Sequence, residues 1–182
     1  MTAANEGSPR LELRHALAGL QAGVAGALVM LACLMIGSLF VRRSIWVVPN
    51  LLATTFYGSE AYRNQLLRTS WSGAALIVVV YGILGVAWGC FWRDRPARWR
   101  AFFGALFGLA VYFVFYGFAW KHINPLVTLY APDRQLELAH ILFGLVLARS
   151  SAYSRRIADA RLEPAVHDPE TVLEVRSGEV IR

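Results

Sequence analysis

Glu137-Leu138-Ala139-His140 is where residue types and spacing in this 182-residue chain come closest to chemistry. A carboxylate and an imidazole three positions apart share one side of a helix, one turn from each other. In di-iron bundles two Glu-x-x-His helices and two further Glu residues surround the metals. The long apolar runs here contain no acid, which argues against a di-iron carboxylate site. His122 ends the preceding apolar run, at the level where Glu137 and His140 begin the next. His122, Glu137 and His140 therefore form a candidate polar cluster. Its ligand types would suit one zinc ion, and its two imidazoles a haem. Buried ionisable groups also serve proton or small-solute carriers. The plainer alternative is a hydrogen-bonded polar pair that fixes helix register. No cofactor is expected, and metal and haem binding stay open as alternatives.

Other catalytic patterns are absent. The chain has no G-x-S-x-G, no Walker sequence, no G-x-G-x-x-G and no H-E-x-x-H. Ser70 and Ser72 lack an evident His–Asp partnership. The reading leans away from an enzyme.

The elements that would position the cluster are membrane spans. The chain is 57% hydrophobic and 16% charged, with mean hydropathy +0.45; soluble domains have about 45–50% apolar and about 25% charged residues. Residues 16–41, 69–92 and 101–120 carry no charge. About 20 apolar residues cross the hydrocarbon core, so three spans are expected there. The first run is too long for a signal-peptide core. The fourth, 135–154, is marginal, with Arg149 inside it. From Glu137 to Arg155 it would rise about 27 Å, close to the core thickness, and Arg149 would snorkel to the surface.

Charge places these spans. The net charge is +6, and 17 of the 18 basic residues are Arg. They crowd the edges of the apolar runs, as the positive-inside rule requires; nucleic acid is not an expected partner. Arg10, Arg14, Arg93, Arg95, Arg98, Arg100, Arg149, Arg155, Arg156 and Arg161 define the denser, cytoplasmic side. Both termini then lie inside, which requires an even number of spans. The expected fold is an all-α integral membrane four-helix bundle, N-in and C-in, in a bacterial inner membrane. It comprises a cytoplasmic segment 1–15, a transmembrane domain 16–156 and a polar tail 157–182. Expected partners are the lipid bilayer and a second copy or another membrane protein.

Small residues mark the packing faces. At 100° per residue, Gly19, Gly23, Gly26, Met30, Cys33 and Gly37 share a stripe on the first span. Ala75, Val78, Gly82, Gly85 and Gly89 share one on the second, and Gly104, Gly108, Val111, Phe115 and His122 one on the third. Glu137, His140, Gly144, Ala148 and Ser151 share one on the fourth. Small residues at four-residue spacing allow close helix approach in lipid. The nine helix-packing glycines expected are Gly19, Gly23, Gly26, Gly82, Gly85, Gly89, Gly104, Gly108 and Gly144. Cys33 and Cys90 read as small core residues.

The halves of the chain also echo each other. Tyr81-Gly82-Ile83-Leu84 matches Phe143-Gly144-Leu145-Val146, and "WVVPNLLATTFYG" matches "WKHINPLVTLYAP". That suggests two helical hairpins in a parallel repeat. The outer loop 42–68 is apolar enough to form a partly interfacial helix opened by Pro49. In the tail, "TVLEVRSGEVI" could form two short strands or take order only on a partner.

The string from His140 to Leu147, together with a Gly-rich first span followed by "WVVPNLLAT", resembles several uncharacterised small bacterial membrane-protein families. Their last span carries a His, two aliphatics, an aromatic and a Gly. The likeness covers about half of the chain and implies a multipass membrane protein without a known activity. Ala148-Arg149 departs from it where a further small residue would continue the pattern.

Overall fold

A computed structural model describes residues 7–40, 43–92, 97–154 and 157. Among them all regular structure is helical. α1 runs Gly7–Phe40, α2 Val47–Tyr57, α3 Ser70–Phe91 and α4 Ala97–Val114. A π turn, Phe115–Ala119, carries the third apolar helix on into α5, Trp120–Ile123. α6, Pro125–Tyr130, and α7, Asp133–Leu147, complete the order. The chain turns at Ala148 and Arg149 and is helical again over 150–154. The tail in which strands were expected lies outside the described residues.

Three segments are long and apolar enough to cross a membrane: Glu12–Phe40, Ser70–Phe91 and Trp99–Ile123. Their outward faces are apolar too. Leu28, Ile36, Val79, Ile83, Phe102, Phe113 and Phe118 are each more than half exposed. Such a surface suits lipid and would drive association in water. α7, at 15 residues, is not among the three.

Glycine decides which helices touch. A methyl on Gly19 would strike the Gly85 carbonyl, and one on Gly85 the Gly19 carbonyl. Gly23 lies against Tyr81 and Gly85, and Gly89 against the His15 carbonyl. This antiparallel seam joins α1 to α3. A second joins α4 to α7, where Gly104 faces the Gly144 carbonyl and Gly108 the His140 carbonyl. α1 also runs antiparallel to α7. Gly26 sits under the Phe143 ring, and Gln135 Nε2 donates to the Gly37 carbonyl at 2.9 Å. Gly82 is looser: a methyl there would meet only the Leu20 and Val24 side chains, at 3.3 and 3.6 Å. On α3 Gly82, Gly85 and Gly89 of the expected stripe are buried, together with Gly73, Ile77, Tyr81 and Trp88, whereas Ala75 is exposed. Cys90 is likewise exposed rather than in the core.

α2 packs closely on the bundle. Its residues from Val47 to Thr54 are all buried, because Gly73 of α3 admits the Pro49 carbonyl. Pro49 stands third in the helix, and Gly58 ends it at φ 68°, a conformation that favours glycine. Fully buried Asn50 fastens the next loop. Its Nδ2 donates to the carbonyls of Arg63 and Gln65 at 2.6 and 2.9 Å, and its Oδ1 accepts from Ser70 Oγ. Asn124 caps α6 by accepting from Leu126 N, while its Nδ2 donates to Thr54 Oγ1 at 2.7 Å and Thr55 Oγ1 at 3.0 Å. α6 is thereby tied to α2.

The α3–α4 side has no glycine seam. Toward the C-terminal end of α3, rings fill it: Trp88 stacks on Trp92 at 4.8 Å, Trp88 meets Phe107 and Trp92 meets Phe103. Toward the other end α3 and the π turn leave a cavity.

Candidate functional site

His140 lies on the buried face of α7, with Leu136, Ala139, Phe143, Gly144 and Leu147. It is wholly inaccessible. Its Nδ1 is 2.7 Å from the Leu136 carbonyl, which can only accept, so Nδ1 carries a proton and donates. In that neutral tautomer Nε2 is an acceptor, and the Tyr81 hydroxyl donates to it at 2.6 Å. Both ring nitrogens are thus satisfied by the protein itself. Burial without such partners would be costly.

Three tyrosine rings enclose the imidazole. Tyr81, Tyr112 and Tyr116 pack on it at centroid distances of 5.6, 5.5 and 5.8 Å. Tyr112 and Tyr116 are four apart on one helix face and stack on each other. Tyr81 also meets Phe143 edge-on at 4.8 Å and Phe115 at 6.0 Å. Three tyrosines, from α3, α4 and the π turn, therefore cage the imidazole of α7, and one of them is its hydrogen-bond partner.

The expected cluster does not assemble. His122 is exposed, and its Nδ1 donates to the Phe118 carbonyl one turn back, at 2.8 Å. The π turn is the reason. Its wider winding delays every later position by about one residue, roughly 100°, so His122 leaves the stripe of Gly104 and Gly108. Glu137 is exposed as well. The buried face of α7 is centred between Leu136 and His140, and Glu137 falls about 90° from that centre. Among the described residues no group of three His, Cys, Asp or Glu side chains could hold a metal ion. A second Glu-x-x-His turn, Glu12 to His15, lies at the start of α1, where Glu12 is exposed.

Sequence reasoning missed the tyrosines. Tyr is usual at the membrane–water boundary, and its hydroxyl needs a partner when buried. Tyr81 stands near the middle of the second apolar run. That position was the available signal that a hydrogen-bond partner waited on another helix.

Beside the cage lies a cavity of about 160 Å³. Met30 and Leu34 of α1, Leu52, Thr55 and Phe56 of α2, Leu76, Ile77, Val80 and Tyr81 of α3, and Phe115, Tyr116, Trp120 and Ile123 line it. Its walls are almost wholly apolar, and Tyr81 and Tyr116 are shared with the cage.

No protein-family model matches the chain, and neither does any curated protein or solved structure.

Proposed function

We propose that the chain is a four-span inner-membrane protein, an all-α bundle of two hairpins with both termini cytoplasmic. It acts by packing with itself or with another membrane protein, without catalysis. The observation that carries this reading is His140: a buried ionisable group in a span usually marks a function, yet both its nitrogens are consumed by Tyr81 and the Leu136 carbonyl. The pair fixes the register of α7 against α3.

Support for α7 as the fourth span comes from its outer face. Leu138 and Leu145 are exposed there, which suits lipid. Arg149 is exposed at its far end, where it can snorkel. α7 runs antiparallel to α1, which returns the chain to the side on which it began. The parallel repeat is supported by a contact between the matched residues Tyr81 and Phe143 and by one between the matched segments, where Asn124 donates to Thr54.

The test is an absorption spectrum and metal analysis of the protein purified in mild detergent. A clear spectrum without metal is expected. A Soret band or stoichiometric metal, lost in His140→Ala, would overturn the packing reading in favour of a cofactor site.

A further inference from the structure

We infer that the cavity between α3 and the π turn holds one acyl chain of a membrane lipid. The inference rests on the spanning reading above and adds a ligand to it.

Three observations converge. The first is a missing contact. α1 closes on α7 through Gly26 and Gly37, but the α3–α4 side has no glycine seam and is plugged by Trp88, Trp92, Phe103 and Phe107 at one end only. The second is the lining, which offers water few partners; apolar cavities of about 150 Å³ stay dry and take up apolar guests. The third is position. The walls come from all three candidate spans, and Phe56 and Ile123 at the rim are 57% and 63% exposed. The mouth thus opens where α2 and α5 end, at the level expected for lipid headgroups. From Phe115 to Ile123 the wall rises about 12 Å. A volume of about 160 Å³ does not admit a helix, whose diameter is about 10–12 Å with side chains, but admits the end of an acyl chain. Thr55 and Trp120, both in the lining, supply a hydroxyl and an indole N–H for an ester or headgroup. The occupant is therefore the tail of a lipid from the adjoining leaflet, and Tyr81 and Phe115 form the floor on which it ends.

The test is native mass spectrometry of the full chain after reconstitution in phosphatidylglycerol vesicles and extraction into detergent. Wild type and Val79→Trp, whose side chain faces outward from α3 (Val79 is 58% exposed), should each retain one phospholipid through detergent exchange. Val80→Trp, which fills the cavity, should lose it. Leu76→Trp fills the same space one turn away and serves if Val80→Trp does not fold. Absence of a retained lipid in wild type, or equal retention in the cavity-filling variants, would overturn the inference. Failure of the spanning reading would appear separately, as release of the protein from vesicles by alkaline carbonate.

Discussion

The Tyr81 hydroxyl meets His140 Nε2 at 2.6 Å, joining positions 59 apart in the chain. The bond links α3 to α7, two helices that share no glycine seam. The sheathing rings of Tyr112 and Tyr116 keep it dry, and a hydrogen bond in such surroundings is electrostatically stronger than one in water.

Removing both partners should therefore cost less than the sum of removing each alone. Tyr81→Phe leaves a buried imidazole nitrogen unpaired, a loss of about 1–3 kcal/mol. His140→Leu strands the tyrosine hydroxyl. The double variant should be less destabilised than the sum of the two, with a coupling of about 1 kcal/mol or more, read from thermal unfolding in detergent.

The glycines should separate into two groups. Gly108→Ala places a methyl against the His140 carbonyl, and Gly144→Ala one against that of Gly104. Each should cost about 1–3 kcal/mol by overpacking and push α4 from α7. Gly117→Ala, in the π turn, meets nothing within 4 Å and should unfold within a degree or two of wild type, on the scale of neutral surface changes.

Asn50→Ala should free the loop after α2. It removes the bonds to the Arg63 and Gln65 carbonyls and leaves the buried Ser70 hydroxyl without its acceptor, at about 1–3 kcal/mol. Hydrogen exchange should rise in residues 59–69 and stay unchanged in α4 and α7. Uniform protection across that loop would contradict the assignment of Asn50 as its anchor.

Much of this architecture was legible. Uncharged runs marked three long helices because length and hydropathy alone decide them. Of the glycines in those runs, Gly19, Gly23, Gly85 and Gly89 meet on one seam, and Gly104, Gly108 and Gly144 on another. What failed was phase. A constant 100° per residue carried His122 onto the inner stripe, and one π turn took it off. Packing was hidden as well, since an apolar stretch such as Val47–Tyr57 does not say how much of it other helices cover. The tyrosine cage was invisible because its members come from α3, α4 and the π turn, and only the folded chain gathers them around α7.

The central claim is that His140 is sealed and spent on Tyr81, whereas His122 stands apart in the open. Histidine modification with diethyl pyrocarbonate, mapped by peptide mass spectrometry on the folded protein in detergent, tests this directly. His122 should be modified, and His140 should remain unmodified until the protein is denatured. Modification of His140 in the folded protein at a rate like that of His122 would contradict the account and reopen the cluster as a working site.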